Sequence, residues 1–421
     1  MSMGTDRDDG FLIYGGFALS VVVVIAICKP WNLTDHFMVG APVGRDFVNY
    51  WMGGRLALEG RLDVLVDLHA YNAAIVERFG HTADDFFVFS YPPSLLPFLV
   101  PFGALPYQPA LIAWTVINLA LLVWSVRLIS ADRRPMIAAA LSPAALTMVT
   151  YGQFSGAMAA LAILAMTRAS QRPMLAGLCL ALISVKPQLA AVIGLLMLLI
   201  GQWRAVAWSV PGAAAIAGLS ALLFGLSPWR DFFAVTVPFH VWLIEDFILD
   251  HLRTMLSLYA AARLAGLSFV AAQAIQMSFG LAVVAGAVLL TWRDGLNPRT
   301  LSLLLLAGIA ALAYFQHYDL AIVAPALSVA LFGDTRGEDH DARPLLSFIP
   351  ATLLWLAPPL AIPFGIYHWP IINIVVAGVL VVGLVTQWRH GRGRTGSRQT
   401  TPGESRALGA PRLAPAAGDQ R

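Results

Sequence analysis

Nine polar side chains of this sequence have the chemistry of a group-transfer site and lie in or beside apolar stretches. The stretch GRDFVNYWMGG (44–54) carries one isolated carboxylate, Asp46, and then Tyr50. A carboxylate within hydrogen-bond reach of a hydroxyl can act as a general base. If the stretch is helical, Asp46 and Tyr50 share one face, because they are four residues apart. The position alone leaves open that Asp46 is an ordinary solvated loop acid.

Two cations suit an anionic substrate. Lys186 and Gln188 flank Pro187 between two apolar runs, and the proline biases Lys186 away from helical backbone. An ammonium there can meet a lipid phosphate, or it can snorkel to the membrane interface. Arg253 follows the acidic segment EDFILDH (245–251), and its guanidinium either binds phosphate or pairs with a neighbouring aspartate.

The remaining polar candidates sit at short turns. His317 and Asp319 begin an apolar run, and this histidine is either a donor to phosphate or an interfacial side chain with a local partner. Tyr91 and Gln153 lie at other turns. The sequence has no zinc-binding helix motif, no nucleophile elbow and no Walker-type loop. We therefore predict no metal site and no cofactor, and nothing indicates a soluble nucleotide donor.

The composition determines what kind of elements must position these groups. The chain has 421 residues, of which 58% are hydrophobic and 12% charged, whereas soluble domains carry about 25% charged residues. The sequence therefore predicts an all-α polytopic membrane protein, because only helices and closed barrels satisfy their backbone in lipid. A net charge of +3 gives no indication of a nucleic-acid partner.

Apolar segments of membrane-helix character recur along the chain, some of them shorter than a full span. The segments are 11–28, 92–106, 108–129, 135–150, 155–168, 173–185, 188–202, 205–225, 270–291, 300–315, 319–332, 345–363 and 369–388. The proline-rich segment 91–106 is the best candidate for a partial crossing. About twelve crossings then remain, with both termini on the same side of the membrane.

Arginines in short loops set the orientation. The segment 389–421 holds seven arginines against one Glu and one Asp, which indicates a cytoplasmic tail. The opposite, periplasmic side then holds a long first outer loop (29–91) and a second outer loop (226–253). We interpret the short segment 254–268 as an interfacial or re-entrant helix.

The predicted organisation has three parts. They are a cytoplasmic N-terminus (1–10), a transmembrane domain (11–390) and a disordered cytoplasmic tail (391–421). The predicted location is the inner, or plasma, membrane, with multiple spans. This topology places all nine polar candidates on the outer side. A cleft with one carboxylate and several cations there suits an anionic substrate and a proton transfer.

Five motifs in a fixed order carry a family resemblance. They are RDFVNYW in the first outer loop, then the segments 91–106, 151–165, 184–197 and 314–327. In order and spacing they resemble glycosyltransferase family 87, over about residues 11–390. The resemblance implies the GT-C architecture of integral membrane glycosyltransferases, a family that includes α-mannosyltransferases dependent on polyprenol-phosphate-mannose.

The resemblance also implies roles for two residues. Asp46 corresponds to the acid of the first outer loop that serves as catalytic base, and His317 lies in the motif near the donor phosphate. The run AYFQHYDL (313–320) departs from the family pattern, in which we expect Pro-Tyr before His-Tyr-Asp. Charge and side of the membrane add Lys186, Arg253 and Gln188 as phosphate ligands. The predicted substrate-binding residues are Tyr50, Tyr91, Gln153 and Asp319.

The resulting hypothesis is an inverting transfer of a hexose, with mannose as the first candidate. The donor is a polyprenyl-phosphate sugar, the acceptor is a lipid or glycan on the periplasmic face, and membrane lipids are the remaining partners. Two alternatives stay open, a transporter or flippase of a lipid-linked sugar and a non-catalytic scaffold. The sequence shows no internal symmetry of halves such as many transporters have.

Overall fold

The computed structural model describes residues 10–28, 44–79, 87–245, 252, 255–333 and 345–396. This part of the chain is almost entirely helical, in agreement with the predicted all-α class, and its only β-type pairing is an isolated bridge between Met255 and Gln316.

Helices of very different lengths follow one another along the chain. The first are α1 (Gly16–Cys28), α2 (Phe47–Leu58), α3 (Leu62–Val66), α4 (Leu68–Phe79), α5 (Leu96–Gly103), α6 (Tyr107–Arg127) and α7 (Arg134–Ala140). Next come α8 (Pro143–Tyr151), α9 (Ser155–Arg168), α10 (Pro173–Ile183), α11 (Pro187–Leu199), α12 (Trp203–Phe224), α13 (Ser227–Asp231) and α14 (Val237–Glu245). The last are α15 (Leu258–Leu264), α16 (Phe269–Asp294), α17 (Pro298–Ala310), α18 (Ala324–Phe332), α19 (Leu345–Ile366) and α20 (Ile371–Gly396).

Within the described residues, 4 helices are long and apolar enough to cross a membrane: α6, α12, α16 and the segment Ile371–Arg389 of α20. Shorter apolar helices, among them α9, α10, α11 and α17, accompany them. The chain is therefore a membrane protein. The prediction of about twelve crossings stays a prediction, because many of the apolar helices are shorter than a full span.

The first outer loop contains α2, α3 and α4 within its described part. Small residues bring α2 against α5, as is common where apolar helices pack closely. A Cβ atom added to Gly54 would lie 2.3 Å from the Leu99 carbonyl oxygen, and one added to Gly103 would lie 2.3 Å from the Gly54 carbonyl carbon. This contact positions α2 against α5, and Asp46 lies immediately before the first residue of α2.

The described part of the predicted second outer loop is helical. A π-helical turn, Phe232–Thr236, joins α13 to α14, and none of the residues of α14 is buried. Phe233, Val241 and Trp242 are exposed, as expected for an apolar helix at a membrane surface. The segment that follows, including Arg253, lies largely outside the described residues.

The structure describes parts of two further predicted segments. The predicted re-entrant segment 254–268 contains the short helix α15, whose residues Tyr259 to Ala262 are buried. Helix α20 continues to Gly396, so the helix runs past the predicted start of the tail at 391. Residues 397–421 and 1–9 lie outside the described residues.

Candidate active site

Asp46 occupies the N-cap position of α2, and its carboxylate does not cap that helix. N-cap aspartates usually accept a hydrogen bond from an amide of the first turn. Here the backbone N–H of Asp46 donates to the Tyr151 carbonyl at 2.9 Å, and its carboxylate bonds to other side chains. The side chain is 13% exposed and points to partners outside the helix.

A chain of hydrogen bonds ends at this carboxylate. Gln153 Nε2 donates to Asp46 Oδ2 at 2.7 Å, and the Tyr50 hydroxyl donates to Gln153 Oε1 at 2.9 Å. Since Tyr50 has only one hydroxyl proton, Tyr91 is the donor in the 2.7 Å contact between the two phenols. The other carboxylate oxygen, Oδ1, accepts from Arg45 Nη1 at 3.1 Å. We call Asp46, Gln153, Tyr50 and Tyr91 the carboxylate network.

The turn after α8 places Gln153. Gly152 has φ +70°, a left-handed conformation that favours glycine, and the Gln153 N–H donates back to the Met148 carbonyl at 2.9 Å. A Cβ atom on Gly152 would lie 2.6 Å from Phe47 Cβ, so only glycine lets this turn approach α2. Trp114 Nε1 donates to the Gly152 carbonyl at 2.9 Å and completes the support of the turn.

A buried ion pair lies beside this network. Lys186 Nζ and Asp319 Oδ1 are 3.1 Å apart, and the two side chains are 8% and 14% exposed. The ammonium also lies 5.1 Å from the Phe154 ring centroid and 5.6 Å from that of Tyr318. The second carboxylate oxygen of Asp319 accepts from the Gln316 N–H at 3.2 Å. The charge of Lys186 is therefore balanced within the protein.

Two aromatic residues connect the ion pair to the carboxylate network. The Phe154 ring contacts Tyr50 at 5.2 Å between centroids and Tyr91 at 5.9 Å, and its face meets Lys186. Tyr151, whose carbonyl accepts from Asp46, has its ring 5.7 Å from that of Tyr318. The two groups of charges therefore form one site.

His317 lies at the start of the 3-10 helix His317–Ile322 and is fully buried. Its ring meets Tyr151 edge to face, with centroids 4.7 Å apart. Tyr314 is half-buried nearby, within electrostatic reach of Asp46 and Asp319.

The structure brings together most of the side chains that the sequence singled out. Asp46, Tyr50, Tyr91 and Gln153 form the network, and Lys186, Asp319 and His317 lie beside it. Gln188 is exposed in the first turn of α11, and Arg253 lies outside the described residues.

Three further residues lie beside the predicted site residues but were not predicted from the sequence, namely Phe154, Tyr314 and Tyr318. Each lies within three residues of a predicted site residue, so closeness to these residues in the sequence was the one feature that could have indicated them.

Within the described residues, no group of three or more His, Cys, Asp or Glu side chains is arranged so that it could hold a metal ion.

A family model described as glycosyltransferase family 87 matches residues 89–333, which is more than half of the chain. The chain belongs to glycosyltransferase family 87. It is therefore an enzyme, a membrane glycosyltransferase, with a sugar donor and an acceptor as its partners. The glycosyltransferase family 87 match includes every predicted site residue except Asp46 and Tyr50, which precede it. Searches of curated proteins and of solved structures returned no match.

Proposed function

We propose that this glycosyltransferase transfers a hexose, with mannose as the first candidate, from a polyprenyl-phosphate sugar to a lipid or glycan acceptor. The reaction takes place on the periplasmic face of the inner membrane and inverts the anomeric centre. The observation that carries the proposal is the carboxylate network, which aims a partly exposed Asp46 away from its own helix and beside a buried cation.

The proposed step moves one proton and exchanges one bond. An acceptor hydroxyl oxygen attacks the anomeric carbon and forms the new glycosidic bond, while the bond from that carbon to the phosphate oxygen breaks. The bonding electrons leave with the polyprenyl phosphate, and Asp46 takes the hydroxyl proton. A positioned base of this kind contributes about 10²–10⁴-fold in rate.

The geometry of Asp46 supports its role as base. Oδ1 and Oδ2 accept from Arg45 and Gln153 respectively, whereas a carboxylate offers about four acceptor positions. An acceptor hydroxyl can therefore bind without displacing either partner. Tyr91 and Tyr50 donate in sequence towards Gln153, which orients the amide so that its N–H group faces the carboxylate.

The cationic side of the site suits the leaving phosphate. The phosphate departs as an anion and needs positive charge rather than a proton, and preorganised charge in a water-poor site lowers the barrier by several kcal/mol. We assign this role to Lys186, whose ammonium has three N–H donors, one of which bonds to Asp319. His317, Gln188 and Arg253 remain proposed phosphate ligands from the sequence.

A groove next to the Lys186 turn suits the hydrocarbon chain of the donor. It has a volume of about 380 Å³ and lies between α10, α11 and α12. The hydroxyls of Ser184 and Ser209 in its wall donate to carbonyls of their own helices, Ala181 and Val206. These two hydroxyls therefore have no proton left to donate to a ligand, and the rest of the wall is apolar, so an apolar chain is the ligand class that fits best.

Mass spectrometry of the products tests the proposal. Purified wild-type protein is incubated with a small panel of polyprenyl-phosphate sugars and a membrane-lipid extract as acceptor. We expect released polyprenyl phosphate with one sugar of the panel and none from the Asp46→Asn variant. Uptake of an intact lipid-linked sugar into proteoliposomes, without release of polyprenyl phosphate, would instead support a transporter.

A further inference from the structure

Two buried amides stand out in helices that are apolar over most of their length. Gln276 lies in α16 and Asn373 in α20, and both helices provide candidate membrane spans. Their residues are 1% and 5% exposed. Polar side chains at such positions are costly unless their hydrogen bonds are satisfied, so each needs a structural or functional reason.

Both amides bond to backbone that has left regular helix. Asn373 Nδ2 donates to the carbonyls of Met255 and Ser257, both at 2.9 Å. Gln276 Oε1 accepts from the Tyr259 N–H at 3.0 Å, in the first turn of α15. Backbone groups freed by a helix break within a membrane must find such partners.

Gln276 reaches a second helix end as well. Its Nε2 donates to the carbonyl of Ala310 at 2.8 Å and to that of Leu312 at 3.3 Å, where α17 stops. The chain then turns into Phe315 and Gln316. Gln276 therefore holds the residues that lead out of α17 and the residues that lead into α15 at the same time.

These two segments pair with each other directly before the site. The Leu256 N–H donates to the Phe315 carbonyl at 2.7 Å, and Met255 and Gln316 form the antiparallel bridge. Gln316 in turn donates its N–H to Asp319, the counter-ion of Lys186. A continuous series of hydrogen bonds thus runs from Asn373 through the 255–257 segment to the ion pair.

We infer that Gln276 and Asn373 are positioning residues, which hold the 255–257 segment against Phe315–Gln316 and thereby set the position of Asp319 and Lys186. The inference rests on the proposed function, because it takes the ion pair to be part of the donor site. Neither amide touches substrate. Packing between helices alone does not explain these two amides, because they bond to non-helical backbone and to helix ends rather than to side chains of a facing helix.

The first readout is hydrogen exchange, which needs no substrate. In full-length protein in detergent, Asn373→Leu removes the two donated bonds and keeps a similar volume. We expect faster exchange in peptides covering 255–257 and 314–319. Asn118→Leu is the matched control, because Asn118 is a buried amide of α6 that bonds to Trp114 and Ala157 instead. It should leave exchange in those peptides unchanged.

The second readout is a kinetic double-mutant cycle. Misplacing a group in a reaction site by about 1 Å can cost about 10²-fold in rate, so Asn373→Leu should lower kcat roughly 10- to 100-fold per folded molecule. Added to Asp319→Asn, it should lower kcat little further, because both act through the same turn. A merely structural role predicts additive losses. We expect the same result for Gln276→Leu, which takes the place of Asn373→Leu in both experiments if Asn373→Leu does not fold.

Unchanged exchange at 255–257 and 314–319, or fully additive losses of kcat, would overturn the inference. If the wild-type protein transfers no sugar from any polyprenyl phosphate, the proposed function fails, and the exchange experiment still decides whether the two amides hold the turn. The failures of the two proposals are therefore distinguishable.

Discussion

The two charged groups of the site, Asp46 and Lys186, are held in opposite ways. Asp46 accepts from a neutral amide and from the partly exposed Arg45, and it keeps acceptor positions for a further ligand. Lys186 is buried, paired with Asp319 at 3.1 Å and covered by the aromatic faces of Phe154 and Tyr318. In the proposed mechanism the carboxylate takes up a proton, whereas the ammonium keeps its position and its counter-ion.

The difference shows what each region contributes. Moving a charge into a protein interior is expensive, and a paired charge that loses its partner is more destabilising than one replaced together with its partner. The Lys186–Asp319 pair is therefore expected to govern stability first and donor binding second. The carboxylate network is expected to govern the rate of the chemical step with little effect on stability.

Breaking the ion pair should give the largest effect on stability. Asp319→Ala leaves the Lys186 ammonium buried without its partner, and loss of one member of such a pair costs about 3–5 kcal/mol. The double variant Lys186→Met/Asp319→Leu should recover most of the loss of thermal stability but not the donor affinity. Thermal unfolding in detergent measures both variants. Asp231→Ala, at the more exposed Arg230–Asp231 pair, is the control and should not shift Tm. Equal Tm values for Asp319→Ala and wild type would contradict this view of the pair.

Removing the orienting amide should act on rate instead. Gln153→Leu deletes the 2.7 Å donor to Asp46 and the acceptor for Tyr50. Because the base then loses its fixed orientation, kcat should fall roughly 10- to 100-fold while the donor KM stays near wild type. Gln202→Leu is a matched control, since Gln202 pairs with Ser170 away from the network. A variant whose donor KM changes while its kcat is retained would place Gln153 in donor binding.

Loss of one phenol hydroxyl should have a smaller effect. Tyr50→Phe removes one link of the network, and a single hydrogen bond contributes about 0.5–1.5 kcal/mol, so kcat should fall about 2- to 10-fold. Tyr71→Phe removes an equally buried hydroxyl, which donates to the Asn49 carbonyl at 3.0 Å and does not reach Asp46. Steady-state kinetics of both variants test whether the Tyr50 hydroxyl matters for the rate. Equal losses of kcat in Tyr50→Phe and Tyr71→Phe would argue against a role for the network.

Filling the groove should give the smallest change. A side chain at Gly194 starts at an ordinary 3.5 Å contact with Leu180 and then projects into the groove, so Gly194→Leu takes space from a hydrocarbon chain. Losing the burial of one methylene, about 0.8 kcal/mol, raises the KM of a long-chain donor about fourfold. A short-chain donor should be unaffected, as should Gly218→Leu, which adds a side chain in open space. An equal rise in KM for short and long donors would place the chain elsewhere.

The sequence predicted which residues lie in the site better than it predicted which of them bond to each other. Charge, side of the membrane and the motifs selected Asp46, Gln153, Lys186 and Asp319. No local pattern shows that Lys186 pairs with Asp319, because 133 residues separate them and the pairing depends on how α11 and α17 pack. The same holds for the 107 residues between Asp46 and Gln153.

The fold was predictable in class and less so in detail. Low charge and apolar runs indicate a helical membrane protein, and the structure has that character. Helix ends depend on specific partners that periodicity does not reveal, such as Gln276 where α17 stops and Gly152 after α8. Those ends are what bring the site residues together.

Single-turnover kinetics of Asp46→Asn provide the strongest test of Asp46 as the general base. Wild-type and variant protein, each saturated with labelled donor, are mixed with acceptor, and donor affinity is measured on the same preparations. Asp63→Asn, at an exposed aspartate in the first turn of α3, is the control and should behave as wild type. We expect the chemical step of Asp46→Asn to be slowed at least about 10²-fold, with donor affinity unchanged. A wild-type rate in Asp46→Asn, or a loss explained entirely by weaker donor binding, would contradict it.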